Sequence, residues 1–223
     1  MNFSLVMEYA DFILEGAVLT IFMAIGSIFL GCILGTLLGL MRVSSSKILK
    51  GFSGAYLQVF RGTPMLLQIM FIFFAIPQLY NMLTGNYFNW RPEIAGVIAL
   101  GMNSGAYIAE IIRSGIQGVD IGQTEASRAL GLNHRQTMQL VILPQALRRV
   151  IPPLCNEFIV LLKDTSLVSG IGAKELMYRS RSMGVTTYDF VSFLIGAAVV
   201  YFVLTFILTQ ISNLIERRLA VSD

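Results

Sequence analysis

Charge is scarce in this chain. Only 13% of its 223 residues are Asp, Glu, Lys or Arg, against about a quarter in an ordinary soluble domain, and 55% are hydrophobic. Together with a mean hydropathy of +0.71, this excludes a soluble globular domain and leaves an integral membrane protein. Histidine occurs once, at His134, in a polar segment with no ligand partners nearby in sequence, so a metal-dependent intramembrane enzyme has no ligand set here. The two cysteines, Cys32 and Cys155, each sit in an apolar run, which argues against a disulfide framework. No nucleotide-binding motif is present: the stretch GIGAK at Gly170 to Lys174 lacks the four-residue gap and the following Ser or Thr of a phosphate loop, and reads as a turn. The first fifteen residues carry Glu8, Asp11 and Glu15 but no Lys or Arg, the wrong charge for the start of a signal peptide, so the first span is expected to stay in the mature chain. A net charge of +3 without a basic stripe implies no nucleic-acid partner. Neither an internal repeat nor a second domain is visible.

What the chain has instead is long uncharged runs. Gly16 to Met41 and Phe190 to Ile215 are each 26 residues without a charge, and Gly62 to Trp90 is 29; about 20 suffice to cross a bilayer. Pro64 is well placed for a first helical turn and Pro77 is expected to kink or end its helix. Ile94 to Ala109 gives only 16 uncharged residues before Glu110, so that span is short or has a charged end. A further span is expected to start near Pro152 and Pro153. The predicted architecture is an all-α polytopic membrane protein, one domain over residues 1–223, with five transmembrane helices at about 16–41, 63–82, 93–113, 150–170 and 190–215. The segment Ser169 to Asp189, with Lys174, Glu175, Arg179 and Arg181, reads as a polar outer loop, and the segment from Arg42 to Arg61 as a polar inner one. On this topology eleven Lys and Arg lie inside, four outside and Lys163 within the membrane, the full 16, which places the N-terminus outside and the C-terminus in the cytoplasm. Gly31, Gly35 and Gly39 repeat every four residues, a face that lets another helix come close, and packing within the chain is the expected use.

Polar residues inside apolar spans are costly and mark a face turned toward protein or water. Asn103, Tyr107 and Glu110 are spaced at four and three, on one helical face. Glu110 and Arg113 are three apart and are expected to pair. In the fourth span Asn156 and Lys163 are seven apart, as are Glu157 and Asp164, so two polar stripes lie on adjoining faces. At about 1.5 Å per residue Asp164 lies roughly 16 Å beyond Pro153, near mid-membrane. Glu157 and Asp164 can attract the ammonium group of a ligand. Alternatively, Lys163 neutralises Asp164 and the pair only fixes packing. Gln68, Asn103, Asn156 and Lys163 complete the candidate binding set.

The most polar stretch is EASRALGLNHRQTMQLVILP, Glu125 to Pro144, within a loop of residues 120–144. Glu125 to Leu130 favours a helix, Gly131 sits where a left-handed residue would end it, and Asn133 with Gln136 has capping-box spacing. A second helix through Met138 to Leu143 follows, and Pro144 either begins another segment or bends this one.

This stretch resembles the cytoplasmic loop of ABC-transporter permeases, the binding-protein-dependent inner-membrane components of type I importers. Glu125, Ala126, Gly131, Val141, Leu143 and Pro144 fill the family's pattern, with Ser127 in place of a second Ala and Val141 where Ile is usual. FRGTPMLLQ (Phe60 to Gln68), AYIAEIIRSGI and the NEF and KDTSL segments are similar to those of the polar amino-acid branch. Arg61 there reads first as a headgroup-level residue opening a helix.

The resemblance implies a coupling helix between helices 3 and 4, docked on a separate ATPase through Glu125, Ala126, Gly131, Leu143 and Pro144. It also implies a second permease subunit, identical or homologous, a solute-binding protein on the outer face, and a place in the bacterial inner membrane. No cofactor is expected in this chain, ATP and magnesium belonging to the ATPase. Its substrate would be a polar amino acid, with Glu157 and Asp164 favouring a cationic one and glutamine still admissible. The rival reading is a passive channel or a structural membrane scaffold without ATP-coupled transport.

Overall fold

A computed structural model describes residues 2–220, and every regular element among them is helical. Asn2 caps α1 (Phe3–Glu8), which leads into the 34-residue α2 (Ala10–Val43). At about 1.5 Å per residue α2 is roughly 51 Å long, well beyond the 30 Å of a hydrocarbon core.

The stretch after it, expected to be a polar loop, is instead a 16-residue amphipathic helix, α3 (Lys47–Gly62), capped by the Ser46 side chain. Its polar spacing hid it, because Lys47 and Lys50 break the run of apolar residues while Ser53 and Leu57 face inward. Ser53 Oγ donates to the Leu38 carbonyl at 2.8 Å, and Tyr56 Oη to that of Met102 at 2.9 Å. The chain breaks at Thr63 and Pro64, then continues through α4 (Met65–Met70), a π-helical turn (Phe71–Ala75) and α5 (Ile76–Thr84) to a left-handed Gly85. Pro77 does not end this helix. It follows directly on the wider π turn, a common way of absorbing a lost backbone donor.

Helix α6 (Pro92–Gln117) is 26 residues long and carries its charged end, Glu110 and Arg113, inside the helix. Two short helices follow, α7 (Ile121–Ala129) and α8 (His134–Thr137). A π turn (Met138–Ile142) joins α8 without interruption to α9 (Leu143–Asp164). Helix α9 therefore starts nine residues before Pro152, and both prolines sit inside it. It ends in a 3-10 segment (Thr165–Ile171) and a left-handed Gly172, at the turn expected of GIGAK. The outer segment, expected to be a loop, contains α10 (Leu176–Thr186), and the chain closes with α11 (Phe190–Ala220).

Four stretches are long and apolar enough to cross a membrane: Ala10–Val43, Met65–Thr84, Pro92–Gln117 and Phe190–Leu219. Helix α9 is too polar to be among them, which is the consequence of Arg148, Arg149, Glu157, Lys163 and Asp164 in its 22 residues.

The seam of the fold is α2 against α6. A Cβ on Gly35 would stand 2.6 Å from Ile108 Cβ and 3.0 Å from the Gly105 carbonyl, while Gly31 faces Ser104 and Gly39 faces Ile112. The glycine face thus serves packing within the chain, where removing side chains lets two backbones approach. Around this seam Met23, Ile69, Ala99, Leu100, Leu161 and Val168 form the main core. Phe22, Phe29, Leu37, Phe202 and Phe206 lie on the outside, the arrangement of a protein solvated by lipid.

At the end of the molecule away from α7, α10 is locked in place by one carboxylate. Glu175, fully buried, accepts from the backbone N–H of Tyr178 at 2.8 Å and of Met177 at 2.9 Å, from Tyr201 Oη at 2.9 Å and from Thr20 Oγ1 at 3.5 Å. Burial pushes its carboxyl above the usual carboxylate range, and the hydrogen bonds from Met177, Tyr178, Tyr201 and Thr20 offset part of that.

Candidate functional site

Between α6 and α9 lies a cavity of about 300 Å³, lined by Thr63, Asn103, Tyr107, Glu157 and Asp164 over an apolar floor that includes Leu100 and Leu161. That volume is at the lower end of the range for small-ligand sites. Its walls follow from periodicity: Asn103 and Tyr107 are four apart on α6, and Glu157 and Asp164 seven apart on α9, so each pair projects from one side of its helix. Both carboxylates are half-buried. Glu157 accepts one side-chain hydrogen bond, from Ser104 Oγ at 2.8 Å, and is otherwise turned to the cavity.

Asp164 is the last residue of α9 proper, before the 3-10 segment. Helix discontinuities of this kind are where transport proteins place ligand groups.

The remaining candidate residues divide. Asn156 and Lys163 are exposed on the neighbouring stripe and do not line the cavity. No ion pair joins Lys163 to Asp164 among the described residues. Gln68 is 8% exposed and its amide is consumed by the scaffold: Nε2 donates to the carbonyls of Phe60 and Thr63 and to Thr63 Oγ1 at 2.8, 3.1 and 2.8 Å, and Oε1 accepts from Asn103 Nδ2 at 2.9 Å. It closes the break between α3 and α4. Asn103 Nδ2 also donates to the Phe60 carbonyl at 3.1 Å, so one edge of Asn103 is structural while the residue still walls the cavity.

Sequence reasoning missed Ser104 and Thr63. A hydroxyl beside Asn103 in an apolar span was the signal for Ser104. Thr63 lies in the FRGTPMLLQ stretch but was given no role there, since only the break between α3 and α4 brings it to the cavity. Glu110 and Arg113 do pair, the guanidinium Nε standing 3.1 and 3.0 Å from the two carboxylate oxygens.

The second candidate region is the α7–α8 elbow. Asp120 caps α7 through Gly122 N–H. Gly131 adopts φ +83°, and Asn133 and Gln136 form a complete capping box, the geometry read from the spacing. Glu125, Ala126, Gly131 and Pro144 are exposed and Leu143 half-buried. Apolar Ile121, Leu130 and Leu140 are 76%, 83% and 66% exposed, an apolar surface beside charged Glu125, Arg128 and Arg135 of the kind that partner proteins cover. Beneath the elbow Val119, Ile142 and Ala146 form a small core, and Gly115 lets α6 lie against Val150 and the Ala146 carbonyl of α9. The elbow is therefore seated on the two helices that wall the cavity.

Comparison with known proteins shows the family. A family described as binding-protein-dependent transport system inner membrane component matches residues 27–221. The arginine transport system permease protein ArtQ of Bacillus subtilis (strain 168) is 39% identical over 223 residues, covering 100% of this chain and 99% of that protein. The glutamine transport system permease protein GlnP of Escherichia coli (strain K12) is 36% identical over 209 residues, 94% of this chain and 93% of that one. Among solved structures, an amino acid ABC transporter crystallised with histidines superposes with a TM-score of 0.90 at 38% identity, covering 98% of this chain and 99% of that chain. The methionine ABC transporter MetNI in an inward-facing form, at 20% identity and a TM-score of 0.78, covers 95% of this chain and 98% of its own, and shares the fold.

Proposed function

We propose a mechanism for a chain that belongs to the binding-protein-dependent transport system inner membrane components and is the permease subunit of an amino-acid ABC importer: the Glu157–Asp164 cavity holds the amino acid in transit, and the α7–α8 elbow couples it to ATP hydrolysis. The chain is not an enzyme. ATP is hydrolysed by a separate subunit, and an importer of this family works with ATPase and binding-protein partners.

The observation that carries the reading is the pair of half-buried carboxylates turned into one cavity, Glu157 with a single hydroxyl donor. Such a pair attracts an ammonium group. It fits arginine, lysine or histidine through the side chain, and any amino acid, glutamine included, through its α-ammonium. Asn103 and Tyr107 give the polar wall opposite, while Asn156, Lys163 and Gln68 stand outside the contact set.

In this reading α9 is the fifth crossing. It is polar because it borders the path, as α6 does on its Asn103–Glu110 face. Crossing order then puts the N-terminus outside, the C-terminus in the cytoplasm and α7–α8 on the cytoplasmic side of the bacterial plasma membrane. There Glu125, Ala126, Gly131, Leu143 and Pro144 meet the ATPase, which binds ATP and magnesium. A second permease subunit, identical or homologous, completes the path, and a solute-binding protein delivers the amino acid from outside. Since α8 runs through a π turn into α9, a push on the elbow moves the cavity wall directly.

The test is ATP-driven uptake of labelled L-arginine and L-glutamine into proteoliposomes holding the assembled complex. Gly131→Glu places a side chain at a left-handed position on the docking surface, and is expected to cut uptake at least tenfold while the complex still hydrolyses ATP. Full uptake by an assembled Gly131→Glu complex would refute the coupling role.

A further inference from the structure

A larger cavity of about 480 Å³ lies one step along α6 toward the α7–α8 end, lined by Arg42, Gly54, Gln58, Arg61, Tyr107 and Glu110. Tyr107 also lines the Glu157–Asp164 cavity, so the two spaces share a wall. From Asn103 to Glu110 is seven residues, about 10 Å along the helix, which sets their separation.

Cationic groups dominate this second space. Arg61 lies over the shared wall, its Cζ 5.4 Å from the centroid of the Tyr107 ring. Arg42 comes from the last turn of α2. Gly54 leaves room for it, since a Cβ there would stand 3.2 Å from Arg42 Nη1, and its Nε is buried without a hydrogen-bond partner. Glu110, the acidic residue of the lining, has both carboxylate oxygens engaged by Arg113. Neither Arg42 nor Arg61 has a carboxylate oxygen within 4 Å among the described residues, and Glu110, which both feel at longer range, is bonded directly to Arg113, so two guanidiniums face the cavity against one carboxylate that a third guanidinium already holds. A buried guanidinium nitrogen left unpaired costs free energy that an anion restores, and the planar fork of Arg suits a carboxylate.

We propose that Arg42 and Arg61 form a second, carboxylate-binding station, which takes the α-carboxylate of the amino acid after it leaves the Glu157–Asp164 cavity, with Tyr107 and Arg61 as the partition between them. The inference rests on reading the first cavity as the transport site. The two stations have opposite polarity: the first holds ammonium between carboxylates, the second holds carboxylate between guanidiniums. A zwitterion passing from one to the other exchanges one charge contact for the other, so one of its two charged ends is paired at each station. The partition can yield because a cation over an aromatic face is held only weakly. A lipid phosphate would suit the same guanidiniums; the shared wall with the transport cavity favours the amino acid.

The experiment measures equilibrium binding of labelled L-arginine and L-glutamine to the intact permease–ATPase complex in nanodiscs of neutral lipid, with the methyl ester of each amino acid as competitor. The expected result is two classes of site. Arg42→Ala with Arg61→Ala weakens one class at least tenfold, and Arg42→Lys with Arg61→Lys keeps it to within tenfold. Glu157→Gln weakens the other. The ester, which has no carboxylate, competes at the Glu157 class alone. If the alanine pair leaves both classes intact in an assembled complex, or neither amino acid shows Arg-dependent binding, the second station is refuted. If phosphatidylglycerol displaces the label from the Arg-dependent class and stays bound during turnover, the site belongs to lipid and the proposal also falls. If Glu157→Gln alone changes nothing, the reading of the first cavity fails and the Arg-dependent class remains to be judged by its own variants.

Discussion

Two buried carboxylates in this molecule differ in what surrounds them. Glu175 is fully enclosed and has four donors, two backbone N–H groups and two hydroxyls from α2 and α11. Glu157 is half-buried, has one donor from Ser104, and otherwise faces an open cavity. A carboxylate whose lone pairs are already filled has nothing left to offer a ligand. One that keeps most of them unfilled beside a void is held ready. The same side-chain type is thus a clamp in one place and, in the function proposed for it, a docking point in the other, and neighbouring donors decide which.

The largest effect should come from breaking the clamp. Glu175→Ala leaves the N–H groups of Met177 and Tyr178 and the hydroxyls of Tyr201 and Thr20 short of an acceptor, which is expected to cost about 3 kcal/mol or more, since each orphaned buried donor costs about 1–3 kcal/mol. Thermal unfolding of the purified complex reads it, and a melting temperature equal to wild type would remove Glu175 as the anchor of α10.

Next in size is Glu157→Gln. It keeps the hydrogen bond from Ser104 but removes the charge, and should lower uptake of a basic amino acid about tenfold, about 1.4 kcal/mol, with the melting temperature unchanged. Asn156→Ala, on the exposed stripe, should leave uptake within twofold. Equal losses in the two variants would erase the distinction drawn between the stripes.

The smallest effect is a pH dependence. The folded-state value of Glu175 is raised, so its contribution to stability is fully present below the unfolded-state carboxyl value and is lost as pH rises through the folded one. Glu175→Gln stays neutral throughout. Stability of wild type relative to Glu175→Gln should therefore fall as pH rises across that window, and a difference that grows with pH would contradict the account.

Much of the elbow was legible in the sequence because its signals are local. Gly131 after a helix-forming run, and Asn133 with Gln136 three residues on, each depend on their own few residues, and each came out as read. The glycine face of α2 and the Glu110–Arg113 pair were legible for the same reason, being set by helical spacing. Helix α3, α10 and the early start of α9 were not. In α3 and at the start of α10 polar residues are tied to partners outside their own helices, Ser53 to Leu38 and Glu175, beside its local cap on Met177 and Tyr178, to Tyr201 and Thr20, and distant partners leave no trace in a local window.

The sequence by itself determined that the chain lives in a membrane, where its apolar runs fall, and which faces of the third and fourth long segments are polar, because hydropathy and helical period are properties of consecutive residues. Tertiary structure decided which of those polar groups are spoken for. Gln68 and Asn103 bond each other and the Phe60 carbonyl, whereas Glu157, Asp164, Arg42 and Arg61 are left facing space. A hydrogen bond is satisfied or unsatisfied only once both partners are in position, and that is settled when the helices pack.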